Sequence, residues 1–449
     1  MKIIHNECAA IRNVIAYQAI KPGCYVPSMY NYMVQVDGNN CVYNTFTRLL
    51  AIISREEWEI LSSEPKKYSD LDDRVSDLIK HRLLVPNELD EEAAYLQLLA
   101  LIESFDRSDA IDSYTILTTT ACNARCFYCF ESGFKPETMK AQTANDLAEY
   151  IVKHSKERSI KLHWFGGEPL CNTEPIRIVT KLLRESGITF QSTITTNGYN
   201  FNESLIAEAK EIWNLLMAQI TLDGMPQVHN ERKRFVTNDP NPFEKIIQNV
   251  HMLLNHDITV SLRLNFDINN LDSVYSLIEY LDHEFPKTKL LAIYPAILFE
   301  SCAAWDSQRT IEHTKELRTH LRKMQQILLE KNRFAYAKVK HELKRFACGA
   351  NNPKHRTINP NGTFSVCHNV GDTCFYGSIY DGITDIERYH QWMAVDHVRD
   401  QCKSCKWLPD CTGFAMCPTR KSFCMEDVEF KILKHIENTL QKRKGKSDD

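Results

Sequence analysis

The sequence has no long apolar run, no strong charge of either sign and no recognisable secretion signal. No stretch of its 449 residues approaches the roughly 18 apolar residues that a membrane span requires. The formal net charge is only -4, which argues against nucleic-acid binding through bulk charge. Arg12 interrupts the only mildly apolar N-terminal stretch, and no small-residue cleavage site follows it. We therefore expect a cytoplasmic protein whose partners are neither membranes nor nucleic acids.

Cysteine is what the sequence does have. The chain contains 16 cysteines, eight of them between Cys348 and Cys424. Disulfide-rich scaffolds are typically small secreted domains, whereas this chain is large and expected to be cytoplasmic. Thiols stay reduced in that compartment, so clustered cysteines more often bind metal or do chemistry. Metal or iron–sulfur binding is therefore the leading class.

Three regions differ in pattern. Residues 1–108 contain a hairpin signal around Asp37-Gly38, a capping box at Ser54 and Glu57, and two further helical stretches, which together predict a winged-helix-like α+β domain. Residues 109–306 alternate short β-rich runs with amphipathic stretches, the pattern of a parallel β/α sheet or barrel. Residues 307–449 begin with a predicted helix over 307–346, continue into a cysteine-rich segment and return to helix at 426–443. The predicted central strands cover residues 114–118, 160–164, 189–195, 218–222, 259–264 and 290–294.

The first cysteine motif follows the first predicted central strand. Cys122, Cys126 and Cys129 lie within eight residues on a predicted loop, from which three thiolates can reach one metal centre. Three ligands leave one iron of a [4Fe–4S] cluster open for a substrate or cofactor. A zinc site with a distant fourth ligand and three buried structural cysteines are the alternatives that the spacing leaves open.

This motif, Cys-x3-Cys-x-aromatic-Cys after the first strand of a six-fold β/α pattern, resembles the signature of radical S-adenosylmethionine (SAM) enzymes. The resemblance implies a partial (β/α)6 barrel in which the three cysteines hold a [4Fe–4S] cluster and SAM chelates its open iron. It also implies that the cluster reduces SAM to a 5′-deoxyadenosyl radical, which abstracts a substrate hydrogen, and that Tyr128 lies beside the adenine.

Polar motifs at the ends of later strands match the same family in order. Phe165-Gly166-Gly167-Glu168-Pro169 ends the second strand, where the family contacts the SAM amino group. In the fourth segment a basic residue of the family meets the SAM carboxylate, and Arg232, Lys233 and Arg234 compete for that role. The SAM contacts that the resemblance implies are Tyr128, Gly166, Gly167, Glu168, Thr195, Asn197, Arg232 and Arg263.

A second cysteine array follows downstream. Its Cys-x2-Cys pair with further cysteines on either side is a strong metal signal. The layout resembles the C-terminal SPASM extension, which implies two auxiliary [4Fe–4S] clusters. By that resemblance Cys348, Cys367 and Cys417 hold the nearer cluster, with Cys374 or a substrate thiolate as its fourth ligand, and the remaining array cysteines hold the farther one. Those remaining cysteines are Cys402, Cys405, Cys411 and Cys424. The spacing between Cys411, Cys417 and Cys424 departs from the usual SPASM pattern and leaves their division between the clusters open.

SPASM-bearing members of the family typically modify peptides or proteins. The resemblance therefore implies a peptide maturase that installs a thioether or carbon–carbon crosslink, or a related modification, in a ribosomally made precursor. Its expected partners are a precursor peptide whose leader adds to the N-terminal hairpin, and an electron donor such as flavodoxin or ferredoxin. The alternatives are an anaerobic sulfatase maturase that forms formylglycine and a non-catalytic iron–sulfur or zinc protein.

Overall fold

The structure is a computed structural model. It describes residues 1–5, 20–105, 110–129, 131, 135–155, 159–298, 308–334, 348–367, 375–393, 400–411 and 428–444. Among these residues, no helix is both long and apolar enough to cross a membrane.

The N-terminal part combines two small antiparallel sheets with three helices. The predicted hairpin is confirmed: β3 and β4 pair antiparallel, and Asp37 and Gly38 between them adopt positive φ. The predicted capping box is also confirmed, because Ser54 caps the first helix and Glu57 bonds back to the Ser54 backbone. The strands are β1 (Lys2–His5), β2 (Gly23–Pro27), β3 (Asn31–Val36), β4 (Asn39–Asn44), β5 (Leu50–Ile52), β6 (Lys66–Tyr68) and β7 (Leu84–Pro86). The helices are α1 (Arg55–Leu61), α2 (Asp73–Lys80) and α3 (Glu91–Phe105).

The two sheets of this part have the orders β1-β5-β4-β3 and β6-β2-β7. Strand β3 is therefore an edge strand of the larger sheet. One face of this strand packs against apolar residues of the last helix described. The two ends of the described chain therefore share one core. That a winged-helix domain is formed here stays a prediction.

The centre of the molecule is a sheet of ten strands in the order β13-β12-β11-β10-β9-β8-β14-β15-β16-β17. Its first six strands in the chain pair parallel with their neighbours, which confirms the predicted β/α alternation. These strands are β8 (Ser113–Thr119), β9 (Ser159–Gly166), β10 (Thr189–Thr196), β11 (Leu215–Leu222), β12 (Thr259–Phe266) and β13 (Leu291–Ile297). The helices that alternate with them are α4 (Ala141–His154), α5 (Glu174–Glu185), α6 (Glu203–Glu211), α7 (Pro226–Lys233), α8 (Pro242–Asn255) and α9 (Leu271–Glu284).

The sheet does not close into a full barrel. Strand β8 pairs with β14 (His355–Ile358) instead of β13, and β15 (Thr363–Ser365), β16 (Phe375–Ser378) and β17 (Gly382–Ile383) extend the sheet in antiparallel fashion. Part of the cysteine-rich region therefore continues the central sheet by backbone pairing. Sequence patterns did not predict this extension, because a strand's partner is chosen by contacts far away along the chain.

Alternating residues of the parallel strands separate two faces of the sheet. On β12, Val260, Leu262 and Leu264 are fully buried in the main core, against which α8 and α9 pack. Ser261, Arg263 and Asn265 therefore point to the opposite, concave face, because successive side chains of a strand alternate. In a parallel β/α sheet the polar groups at the strand ends gather on that side.

The predicted helix over 307–346 is too long. The observed helix α10 (Gln308–Glu330) ends where Asn332 adopts a positive φ and the Arg333 N–H returns to the carbonyl of Leu328. Arg333 is 2% exposed and holds this end against α9 through Asp282. A left-handed residue after the last turn is a common helix stop, and Asn332 was its signal in the sequence. The later helices are α11 (Ile386–Met393), α12 (Asp400–Lys403) and α13 (Val428–Lys444).

Candidate functional site

The three cysteines of the first motif lie on one loop after β8. All three are free thiols with partial solvent exposure. The loop is tied to the end of α7, because the Arg125 N–H bonds the carbonyls of Lys233 and Arg234, and Ala124 bridges Phe235. Burial raises the pKa of Cys122 to about 12 and also raises the pKa of Cys129. Three accessible thiols on an anchored loop fit the ligand chemistry of an iron–sulfur cluster.

The Gly166-Gly167-Glu168 segment forms a joint between neighbouring strand ends. A Cβ on Gly166 would lie 2.0 Å from the carbonyl oxygen of Thr119, and one on Gly167 would lie 2.5 Å from that of Thr120. The glycines are therefore needed because the segment packs against the chain's own backbone at the start of the cysteine loop. The sequence resemblance implies only that this segment contacts the SAM amino group.

Glu168 is fully buried, and both of its carboxylate oxygens have partners within the protein. One accepts hydrogen bonds from Thr196 Oγ1 at 2.7 Å and the Leu170 N–H at 3.0 Å, and the other accepts from the Asn197 N–H at 2.8 Å. Burial raises the pKa of this carboxyl, and the hydrogen bonds oppose that rise. Glu168 thus holds the end of β10 beside the cysteine loop, where Asn197 Nδ2 donates to Asn123 Oδ1 at 2.6 Å.

A buried charged network lies directly beneath the cysteine loop. Lys233 Nζ donates to Tyr128 Oη and Thr221 Oγ1, each at 2.8 Å, and lies 3.3 Å from Asp223 Oδ1. Tyr128 Oη in turn donates to Asp223 Oδ2 at 2.5 Å. Burial would raise the pKa of Asp223, but the Lys233 charge, with the hydrogen bond from Tyr128, outweighs it and holds that pKa below its ordinary value. Despite burial, Asp223 raises the pKa of Lys233, so the pair is ionised and balances its own charge.

The three basic residues left open by the sequence lie in different surroundings. Lys233 is buried against Tyr128 of the cysteine loop. Arg232 pairs with Asp267 at 2.6 Å, and its guanidinium lies 4.8 Å from the centre of the Phe127 ring. Arg234 is exposed and adopts a positive φ at the end of α7. Of the three, Lys233 reaches closest into the strand-end site.

Asp223 and Asn123 were not among the residues predicted for the site, whereas Asn265 follows the predicted contact Arg263 on β12. Asn265 Nδ2 donates to Asp223 Oδ1 at 3.3 Å and lies 3.5 Å from Tyr128 Oη. An isolated Asp-Gly pair such as Asp223-Gly224 usually marks a loop. The position of Asp223 directly after a buried strand is the sequence signal that distinguishes it from an ordinary turn residue.

Deeper on the concave face, Thr195, Gln219, Arg263 and Tyr294 form a polar row across four strands. Thr195 Oγ1 lies 3.2 Å from His163 Nε2 and 3.5 Å from Gln219 Nε2. Tyr294 Oη donates to Gln219 Oε1 at 2.8 Å. Arg263 is the register partner of Tyr294 on β13. This row continues the strand-end site inward, so predicted contacts Thr195 and Arg263 share one face with Tyr128.

Two of the C-terminal cysteines line a common cavity. Cys348 and Cys367 border a space of about 320 Å³ together with His355 and Thr357 of β14. Ser113 lies at the start of β8, and its Oγ is 3.1 Å from Nδ1 of the His355 ring, which this contact holds in place. This arrangement brings together two of the predicted ligands of the nearer auxiliary cluster. Cys417 and Cys374, the other predicted contributors from this chain, lie outside the described residues.

Cys402 lies on α12, and Cys405 and Cys411 follow it in a turn region; this segment docks onto the N-terminal sheet. Arg48 forms an ion pair with Asp410, and Thr45 Oγ1 donates to the carbonyl of Lys406 at 2.5 Å. The Trp407 ring also packs on Tyr32 of β3, with ring centres 4.9 Å apart. Cys424, the fourth predicted ligand, lies outside the described residues. In the described part of the chain, no three His, Cys, Asp or Glu side chains are placed to hold a single metal ion.

Part of the chain matches a known protein family. Residues 116–281 match the Radical SAM superfamily. This stretch contains the cysteine loop and the strand-end motifs, so residues 116–281 form a radical SAM domain, as the first cysteine motif predicted.

Among curated relatives, GTP 3',8-cyclase of Rhodopirellula baltica is 34% identical over 105 residues, which cover 22% of this chain and 28% of that protein. GTP 3',8-cyclase of Haemophilus influenzae is 30% identical over 109 residues, covering 24% of this chain and 32% of that protein. The chain thus spans about a third or less of the length of these relatives.

Two groups of solved structures share the fold more widely. Streptococcus suis SuiB bound to precursor peptide SuiA matches 90% of this chain and 99% of its own, with a TM-score of 0.53 and 12% identity. The protein anSMEcpe with bound AdoMet matches 74% of this chain and 97% of its own, with a TM-score of 0.54 and 16% identity. At these identities the likeness concerns the fold.

Proposed function

We propose that this protein is a radical SAM/SPASM peptide maturase that removes a hydrogen atom from a ribosomally made precursor to install a crosslink or a related modification. The observation that carries the proposal is the cysteine loop, anchored over a buried polar network at the ends of parallel strands. When bound there, a [4Fe–4S] cluster supplies the electron that cleaves SAM to the hydrogen-abstracting 5′-deoxyadenosyl radical.

The protein's own residues hold and orient these groups. Cys122, Cys126 and Cys129 ligate the cluster in this proposal, and Tyr128 lies beside the adenine. The residue that meets the SAM carboxylate comes from Arg232, Lys233 and Arg234; Lys233 is bonded to the cysteine loop, but its charge is already balanced by Asp223. Glu168 acts by positioning, because its two oxygens are occupied by Thr196, Leu170 and Asn197.

The backbone of Gly166–Glu168, together with Thr195 and Asn197, completes the proposed SAM site. The glycine segment is held against Thr119–Ala121, which would keep its peptide groups fixed for the SAM amino group. Arg232 stays a predicted contact, although its guanidinium is already paired with Asp267.

A precursor peptide is the proposed partner. The fold shared with SuiB extends over more of this chain than the fold shared with anSMEcpe, and SuiB has been solved with a precursor peptide. Edge strand β3 could receive a leader as an added strand, because its outer backbone groups are not paired within the described sheet. Flavodoxin or ferredoxin is the proposed electron donor.

The proposed auxiliary clusters use the cysteines of the C-terminal region. The cavity between Cys348 and Cys367 fits the nearer cluster in its donor atoms, and Cys402, Cys405 and Cys411 supply three donors for the farther one. Cys417 and Cys424 complete the two sets in this proposal, with Cys374 or a substrate thiolate as a further ligand. An auxiliary cluster would accept the electron released by bond formation or bind a substrate thiol.

Anaerobic reconstitution followed by iron and sulfide analysis tests the cofactor content. We expect about three [4Fe–4S] clusters per chain and SAM cleavage under dithionite or reduced flavodoxin. Cys122→Ala combined with Cys126→Ala should abolish cleavage and remove about one cluster, whereas Cys24→Ala in the N-terminal sheet should change neither. Zinc in place of iron, or no SAM cleavage by the wild-type protein, would refute the radical reading and favour a non-catalytic metal protein.

Mass spectrometry of treated peptides tests the substrate class. Incubation with a short precursor encoded beside the gene should remove two hydrogen atoms if a crosslink forms, and should leave the mass unchanged if a residue is epimerised. A product that reacts with an aldehyde-trapping hydrazine, formed from a sulfatase-derived peptide and not from the precursor, would favour the sulfatase maturase alternative.

A further inference from the structure

Arg263 is a cation on the concave face that has no counterion among the residues the structure describes. It makes no hydrogen bond or ion pair with any residue that the structure describes, and its Nε is buried without a partner. The other basic side chains near the site are engaged: Lys233 is neutralised by Asp223, and Arg232 by Asp267. The Arg263 side chain is only half-buried, but its Nε is buried without a partner, and such a cation gains from an opposite charge nearby; this position therefore suits an anionic group.

The surroundings of Arg263 suit a carboxylate. Thr221 and Tyr294 flank it in register on the neighbouring strands, and Tyr294 Oη donates to Gln219 Oε1 at 2.8 Å. The Tyr294 hydroxyl is therefore already bonded to Gln219. The planar guanidinium of Arg263 stays available for two parallel hydrogen bonds to a carboxylate. No carboxylate of the described chain lies within ion-pair distance of Arg263 to occupy that fork.

The depth of Arg263 separates it from the cluster end of the site. Asn265, two residues further along β12, is the side chain that approaches Tyr128 of the cysteine loop at 3.5 Å. Two residues of a strand span about 6.6 Å. Tyr128 and Asp223 lie at the level of Asn265, and Lys233 reaches inward from them to Thr221, the register neighbour of Arg263. Since SAM would chelate the cluster iron through its carboxylate, that carboxylate belongs at the loop. Arg263 lies further in, where a substrate side chain would meet the adenosyl group.

We propose that Arg263 binds a carboxylate of the substrate and thereby selects peptides that carry an acidic group at or beside the residue that loses its hydrogen. This inference rests on the proposed function and revises the earlier expectation that Arg263 contacts SAM. The substrate class is then a peptide whose carboxylate binds Arg263. That carboxylate comes from an Asp or Glu side chain or from a free C-terminus.

The test measures binding of three small probes to the anaerobically reconstituted, SAM-loaded enzyme by calorimetry. The probes are N-acetyl-glutamate amide, its neutral match N-acetyl-glutamine amide, and N-acetyl-alanine with a free C-terminal carboxylate. We expect one of the two carboxylates to bind on the order of tenfold or more tightly than the neutral probe. Whichever carboxylate is preferred identifies a side-chain or a C-terminal group as the source.

Arg263→Gln should erase this preference, and Arg263→Lys should retain part of it. Arg177→Gln, which breaks an exposed ion pair with Glu208 outside the sheet, should leave it unchanged. Arg263→Gln should also unfold at the same or a higher temperature, because it removes an uncompensated charge; a purely structural arginine would lower that temperature. Equal binding of all three probes to the wild type would overturn the proposal.

A second result would also overturn it. If Arg263→Gln weakens SAM binding tenfold or more and leaves the probe preference intact, the carboxylate that Arg263 binds is that of SAM. Dithionite-driven SAM cleavage, measured in parallel, keeps the two hypotheses apart. Loss of cleavage in the wild type refutes the proposed function, whereas cleavage without a carboxylate preference refutes only the role of Arg263.

Discussion

Replacement of Lys233 by Met would show how much the buried network under the cysteine loop contributes to stability. Lys233 lies 3.3 Å from Asp223, and their side chains are 4% and 0% exposed. The substitution leaves the Asp223 carboxylate buried with Tyr128 as its main donor. Breaking a buried ion pair by removing one partner costs about 3–5 kcal/mol. For a domain of this size that corresponds to a fall in the unfolding temperature on the order of 6–20 °C.

Scanning calorimetry of the iron-free chain measures this change without a contribution from cluster binding. Asp223→Asn combined with Lys233→Met should recover much of the loss, because the amide keeps the bond from Tyr128 and carries no charge. The double-mutant cycle should thus report a coupling of about 2 kcal/mol or more. Lys181→Met, at an exposed pair with Glu185, should cost less than about 0.5 kcal/mol. A cost for Lys233→Met no larger than that of Lys181→Met would refute the reasoning.

Three further outcomes follow from single contacts. Gly166→Ala should destabilise the central domain by at least about 3 kcal/mol in chemical denaturation, because its φ is +123° and the new Cβ would strike backbone, whereas Gly38→Ala, with φ +76° and open space around it, should cost about 1 kcal/mol. Burial lowers the pKa of His229 to about 3 in the folded protein, from 6.5 for a free imidazole. Between these two pH values, the unfolded chain therefore binds one proton more than the folded chain. Stability should therefore fall by about 1.4 kcal/mol per pH unit as the pH drops from 6 to 4, and His229→Gln should flatten this slope in pH-dependent denaturation; an unchanged slope would contradict a buried neutral imidazole. Arg48→Met should leave Asp410 without its partner and lower the unfolding temperature of the C-terminal segment, whereas SAM cleavage, measured by 5′-deoxyadenosine release, should persist; equal stability would argue against docking through this ion pair.

Much of the central domain could be read from local patterns. The alternation of short apolar strands with amphipathic helices is a local property of each segment, and it predicted the six parallel strands. The hairpin at Asp37-Gly38 and the capping box at Ser54 were also predictable, because their hydrogen bonds join residues close in the chain. Helix ends were less certain: the helix predicted over 307–346 stops at Glu330, before Asn332 turns left-handed.

The roles of individual polar side chains depended on contacts between distant segments. Lys233 and Tyr128 are 105 residues apart, and Glu168 and Asn197 are 29 apart. No local pattern tells which of three successive basic residues turns inward, or whether a motif carboxylate has its oxygens free. The same limit applied to the pairing of β14 with β8, which joins residues 242 apart across the sheet edge, as the contact of Ser113 with His355 shows.

The sequence by itself determined the kind of chemistry: three closely spaced cysteines after a strand, with polar motifs following each later strand end, require only local order to be recognised. The tertiary structure decided which groups are already satisfied and which still need a partner. It places Glu168 and Lys233 within closed networks and leaves Arg263 on the concave face without a counterion in the described chain. That distinction is one of burial and distance, which arise only when strands far apart in sequence lie side by side.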